Sequence, residues 1–298
     1  MHRFFKYLFG IVTLLVLISC GGKKENPVTK TGFIAIADSK LYYETTGEGD
    51  AIVLLHGGFM DRRMWDDQVD EFSKHYRVIT CDLRGHGATT DGDSSYFMYE
   101  AIRILLDTLH EKKAIVAGLS LGAMIATDFA MVYPQYVDKL VLVTPGLNKL
   151  DTVFAQDSTI QKYSDLMVDA IQKLRDTSLA AEYFIRSWFD GPYRLPTQTD
   201  TIARKKALMM ATATLKTHKF LHWTRLAEPP ASQRLNSIAA PTLIIIAEKD
   251  NYRISKNAEA LKNGISQSKI VTINSVAHLP NLEKPVEFNG IFLGFIKE

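Results

Sequence analysis

From residue 32 onward the chain alternates short, continuously apolar runs with stretches of helical period. That rhythm restricts it to a largely parallel α/β sheet. Strands are predicted over 33–37, 41–45, 51–55, 77–81, 113–119, 139–144, 242–247 and 270–274. The first two alternate in character and predict an antiparallel hairpin at a sheet edge, turned at Asp38-Ser39. The later runs are apolar throughout, as expected of strands covered on both faces. Helices are predicted over 64–74, 95–109, 121–133, 255–263 and 285–296, on both faces of the eight-stranded sheet.

Between Gly146 and Asn236 the alternation stops. Tyr163, Leu166, Met167, Ala170, Ile171 and Leu174 keep the i, i+3, i+4 spacing of one helix face. Two more helices fit near 179–188 and 202–215. This insertion after the sixth strand predicts a helical cap over the C-terminal edge of the sheet, where ligands of open α/β sheets bind. The expected division is a core of 32–146 and 237–298 with a cap of 147–236.

The 298 residues carry 35 basic and 33 acidic side chains, a net charge of +2. That balance gives no global electrostatic case for nucleic acid or an acidic partner. The N-terminus reads separately. His2, Arg3 and Lys6 lead into an apolar run from Tyr7 to Ile18. The run is shorter than the roughly 20 residues of a bilayer span and fits a signal-peptide core. It closes on Leu17-Ile18-Ser19-Cys20, which resembles a bacterial lipobox. The resemblance implies a signal peptide over 1–19, lipid on Cys20 and attachment to the cell envelope. Gly21 gives no sign of inner-membrane retention, so the outer membrane is the expected destination. Residues 20–31 are polar, carry Pro27 and read as a tether. With Cys20 acylated, Cys81 has no partner; it ends an apolar run and reads as a buried small hydrophobe.

The chemistry centres on Gly118-Leu119-Ser120-Leu121-Gly122, between the apolar strand Ala114–Ala117 and an apolar helix that ends near Pro134. Such a spacing arises by chance in about one chain in ten of this length. Its setting makes it informative. A serine on a sharp strand-to-helix turn is strained, and glycines two before and two after let strand and helix pack closely. Its hydroxyl then stands at the positive end of the helix dipole.

Ser120 as a nucleophile needs a base, an orienting acid and an oxyanion hole. His278, in the loop after the last strand, is the candidate base. His56 and His86 sit in glycine-containing turns and are expected to shape those loops; His75, His110, His218 and His222 fall in helical or surface stretches, and His2 in the signal. Asp250, just past the seventh strand, is the candidate acid, with Glu248 pointing into the turn. The loop after the sixth strand (144–148) holds no acid. The backbone N–H of Leu121 and that of Gly58, or alternatively Phe59, are the candidate oxyanion donors in the stretch His56-Gly57-Gly58-Phe59.

In this order, HGG (56–58), CDLRGHG (81–87), GLSLG (118–122), PTLIIIAEKD (241–250) and AHLPNLEKP (277–285) resemble the α/β-hydrolase fold. The similarity is to capped serine hydrolases such as enol-lactonases, small esterases and cofactor-free haloperoxidases, and it runs from about Thr31 to the end. It implies cleavage of a small carboxylic ester, thioester or lactone by Ser120, His278 and Asp250 through an acyl-enzyme. Ala277 stands where such sequences usually carry glycine, which is tolerable if the backbone avoids positive φ. Serine at 120 disfavours epoxide hydrolase and dehalogenase chemistry. Leu279, where C–C hydrolases usually have tryptophan, weakens but leaves open that alternative; perhydrolysis is another, and a non-catalytic surface binding protein a third. Arg186, Arg194 and Arg225 are candidates to hold a substrate carboxylate, and Trp188, Phe189, Tyr193, Phe220 and Trp223 read mainly as cap core. Neither a metal-ligand spacing nor a dinucleotide fingerprint is present, so no cofactor or metal is expected. The expected partners are a small-molecule substrate and, through Cys20, a membrane.

Overall fold

The computed structural model describes residues 28–148, 158–217 and 225–298. The expected signal peptide, Cys20, most of the expected tether, and His218, Phe220, His222 and Trp223 lie outside the described residues.

Eight strands form one sheet: β1 Thr29–Ile36, β2 Ser39–Thr46, β3 Ala51–Leu55, β4 Arg77–Cys81, β5 Ala114–Leu119, β6 Val137–Val143, β7 Thr242–Ala247 and β8 Ser268–Ile273. Their spatial order is β1-β2-β4-β3-β5-β6-β7-β8. The β1–β2 and β2–β4 pairs are antiparallel and the other pairs parallel. The predicted edge hairpin is present, but β1 starts at Thr29 and pairs Thr29–Thr31 with Thr46–Glu44. The last three residues assigned to the tether are therefore strand.

The apolar runs become strands because their two alternating faces enter two different cores. On one face Val53, Leu55, Val116, Leu140, Leu142 and Ile244 pack against helices α2 (Met98–Thr108), α3 (Leu121–Val132) and α7 (Tyr252–Gly264). On the other, Ile52, Leu54, Ala117, Val141, Val143 and Ile245 meet α1 (Asp66–Phe72) and α9 (Pro285–Ile296), where Phe72 stacks on Phe292. Each fully buried leucine or isoleucine contributes about 1.5–3 kcal/mol by leaving water. Helix α3 stops at Val132 because Pro134 forces Tyr133 out of the helical region, to φ −127°, ψ 54°.

Helices α4 (Ser158–Asp169), α5 (Thr177–Trp188) and α6 (Thr201–Thr217) occupy the predicted cap. After α4 the chain widens into a π turn over Ala170–Leu174. The wider winding rotates Leu174 off the predicted apolar face, and it is 65% exposed. Helix α2 starts at Met98, three residues later than predicted. Phe97 is extended and bridges Arg225, which returns from the cap, so the chain there is committed to pairing. A one-turn helix α8 (Pro280–Glu283), which periodicity does not announce, follows the last loop.

Candidate active site

Strand β5 delivers Ser120 onto the turn into α3 with φ 53° and ψ −106°, a conformation that costs a residue with a Cβ and is kept by what surrounds it. Ser120 N–H donates to Val143 O at 3.0 Å, while its carbonyl accepts from Met124 N–H at 3.0 Å and Gly146 N–H at 3.1 Å. A Cβ on Gly118 would strike the Gly122 carbonyl, and one on Gly122 would strike the Leu55 carbonyl. Both glycines are thus required by close backbone approach, as the spacing predicted.

His278 and Asp250 meet. The His278 ring donates from Nδ1 to Asp250 Oδ2 at 2.7 Å, and the pair is almost fully buried. Asp250 Oδ1 accepts from Asn251 N–H at 2.7 Å, which fixes the carboxylate's second oxygen. With Nδ1 committed as donor, Nε2 carries the lone pair. Thr144 Oγ1 donates to the His278 carbonyl at 2.9 Å, and two residues later Gly146 bonds to Ser120. The loop after β6 therefore links the serine turn to the histidine loop. Glu248 bonds Ser275 N–H at 2.7 Å and Lys249 Nζ at 2.8 Å, inside the turn as expected. The backbone at Ala277 avoids positive φ, which falls on Ser275 at 63°.

The upstream loop is fastened by two histidines. His56 Nε2 accepts Leu83 N–H at 2.8 Å and its Nδ1 donates to Gly57 O at 2.8 Å. His86 Nε2 accepts Phe59 N–H at 3.2 Å and its Nδ1 donates to Arg84 O at 2.8 Å. Asp82 accepts from the N–H groups of Arg62 and Ala88 at 2.9 and 2.8 Å. These bonds tie the loops after β3 and β4 together, the shaping role expected for both histidines. They also engage the Phe59 N–H, the alternative oxyanion donor, and so favour Gly58 as the upstream candidate beside Leu121. A Cβ on Gly58 would meet nothing within 4 Å, so no close approach on that side requires the glycine. Leu121 opens α3, where an N–H has no intrahelical acceptor.

The cap closes over these loops through aromatic rings. Phe59 lies 4.7 Å from Phe184, Phe184 6.5 Å from Trp188, and Trp188 4.5 Å from the His278 ring. Trp188 is thus a neighbour of the candidate base, a role its helical spacing could not reveal; Phe189 is cap core and Tyr193 is 60% exposed. The arginines are otherwise engaged. Arg186 pairs with Asp190 at 2.6 Å, Arg194 with Glu283 at 2.8 Å, and the Arg225 guanidinium lies over Phe97. A separate cleft of about 270 Å³ is lined by Asp61, Arg62, Arg63, Gly87, Ala88, Ala213 and Thr217, and includes none of Ser120, Asp250 or His278. Among the described residues no group of histidine, cysteine and acidic side chains could hold a metal ion. Cys81 is buried, and burial pushes its thiol pKa up, in keeping with a packed hydrophobe.

Residues 50–285 match the family described as alpha/beta hydrolase fold, and the chain belongs to it. A 3-oxoadipate enol-lactonase 1 of Acinetobacter baylyi is 26% identical over 83% of this chain and 88% of its own. A pimeloyl-[acyl-carrier protein] methyl ester esterase of Nitrosomonas europaea is 29% identical over 85% of this chain and 98% of its own. The crystal structure of the enol-lactonase from Burkholderia xenovorans superposes with a TM-score of 0.71 at 21% identity, over 90% of this chain and all of that one. Within the family this chain is an enzyme, a carboxylic ester hydrolase.

Proposed function

We propose that the protein cleaves a small carboxylic ester, thioester or lactone with Ser120 as nucleophile, His278 as base and Asp250 as the acid that orients it. The buried 2.7 Å bond from His278 Nδ1 to Asp250 carries this reading, because it leaves Nε2 as the proton acceptor. Nε2 takes the Ser120 hydroxyl proton as Oγ attacks the carbonyl carbon. The resulting oxyanion is held by the N–H groups of Gly58 and Leu121, each worth ~3 kcal/mol in the transition state. Nε2 then returns the proton to the leaving alcohol, thiol or ring oxygen. Water deprotonated by the same nitrogen releases the acid from the acyl-enzyme.

Relatives named as an enol-lactonase and a methyl ester esterase support an ester bond, with C–C hydrolysis and perhydrolysis as the alternatives. A panel of p-nitrophenyl esters, thioesters, lactones and dienoic acids tests the choice. Ester or lactone turnover that vanishes in Ser120→Ala is expected, and turnover confined to dienoates would overturn it. Through the Leu17–Cys20 sequence we also propose a lipid anchor on Cys20.

A further inference from the structure

The cap segment that follows α5 does more than roof the site, and Arg194 shows how. It is 8% exposed, yet all five of its guanidinium N–H groups have acceptors. Nε donates to Asp190 O at 2.9 Å, and Nη2 to Phe189 O at 2.6 Å and Glu283 Oε1 at 2.8 Å. Nη1 donates to Glu283 Oε2 at 2.8 Å and to Ser275 O at 3.0 Å. Glu283 Oε1 in turn accepts the Ala277 N–H at 3.4 Å.

The acceptors bracket His278. Ser275 lies three residues before it and Glu283 five after, while Ala277 precedes it directly. On the cap side the same segment touches the histidine residue itself: His278 N–H donates to Trp188 O at 3.3 Å, beneath the Trp188 ring. Gly191, at φ 74°, packs so closely that a Cβ there would press on Lys249 O at 2.7 Å and Ala277 Cβ at 2.9 Å. None of the Arg194 bonds reaches the imidazole. The side chain can act on where the ring sits, not on its proton.

We propose that Arg194, bound bidentately to Glu283, is a positioning residue that holds the His278 loop in register with Ser120 from the cap. This rests on the triad reading above. A fork of five fixed donors suits the task, and lysine cannot replace it because a point charge with three rotatable donors cannot bridge three carbonyls and two carboxylate oxygens at once. Misplacing a catalytic group by about 1 Å costs roughly 100-fold in rate.

The test uses kcat, KM and the rate of fluorophosphonate inactivation per folded molecule, measured well below the thermal midpoint. Arg194→Lys should lower kcat and the inactivation rate together, by about 100-fold, with KM within about 3-fold of wild type. Buried ion pairs replaced by apolar residues of similar volume usually leave stability unharmed. Arg194→Met/Glu283→Met leaves no lone buried charge but frees the Asp190, Phe189 and Ser275 carbonyls, so it should melt below wild type, and the molecules folded at the assay temperature should still show the kcat loss. Wild-type kcat and inactivation rate in that double variant would overturn the proposal, whatever the single variant does. A wild-type protein that hydrolyses no ester and takes no phosphonate would instead sink the triad reading. Active wild type with equally active variants sinks the positioning role alone.

Discussion

His56 and His278 carry the same ring, and the partner of the second nitrogen decides what each can do. Both nitrogens of His56 are spent on backbone, at Gly57 O and Leu83 N–H. Burial holds its pKa below the ordinary histidine value, so it stays a neutral strut. His278 spends only Nδ1, on Asp250. Sequence position already set the two apart, since His278 lies in the loop after the last strand and His56 beside two glycines. It could not reveal Thr144, whose hydroxyl bonds the His278 carbonyl across 134 residues, because nothing local marks that threonine. Asp250→Asn keeps an acceptor for Asn251 N–H but no longer enforces the Nδ1–H tautomer. The fold should survive while kcat falls by about 10³–10⁴-fold. Steady-state kinetics alongside a thermal melt check this, and a kcat within 10-fold of wild type would move the acid elsewhere.

At the scale of elements, the strands were legible because each is an apolar run whose alternating side chains enter two cores. Local pattern failed where distant chain decides the conformation. Helix α2 starts late because residue 97 pairs with residue 225, and the π turn after α4 leaves Leu174 outside. Helix α3 supports two predictions. Gly122→Ala would drive a Cβ into the Leu55 and His56 carbonyls, which are backbone and cannot yield. A loss of about 3 kcal/mol, with activity, is expected in denaturant melts; an unchanged midpoint would mean a looser elbow.

The second concerns Asp128 on the same helix. It is 1% exposed, accepts Ala227 N–H at 2.9 Å through Oδ2, and has no partner for Oδ1. Burial raises its pKa to about 6. The folded state thus favours the protonated form. Its ionisation destabilises the fold progressively as pH rises from the unfolded value through about 6, and fully above that. Asp128→Asn keeps the acceptor without the charge. Its stability gain over wild type should be small near pH 4, grow to on the order of 3 kcal/mol by about pH 7, and then level off. Urea melts across that range measure it, and a gain independent of pH would show that Asp128 is ionised freely in the fold.

Across the whole molecule, a two-faced sheet presents loops after β3, β5, β6, β7 and β8 at one edge, where Phe184, Trp188 and Arg194 of the inserted helical segment touch the loops after β3 and β8. The core and the His278–Asp250 pair were legible because each motif falls at a strand end. The cap's contacts were not, since helical period shows which face is apolar and not what it faces. Arg194, one of three candidates to hold a substrate carboxylate, is instead fastened to Glu283 beside the histidine loop. The anchor is a whole-molecule prediction as well. With Cys20→Ser the protein should leave the membrane fraction after export, and undiminished retention there would refute lipid on Cys20.

Everything in the proposed chemistry depends on Ser120 being the nucleophile. The most direct measurement is fluorophosphonate labelling of the folded protein, with the modified peptide mapped by mass spectrometry. One phosphonate per molecule on Ser120, lost in Ser120→Ala and strongly slowed in His278→Ala, is the predicted result. Labelling that persists in Ser120→Ala, or that maps to another side chain in the wild type, would contradict it.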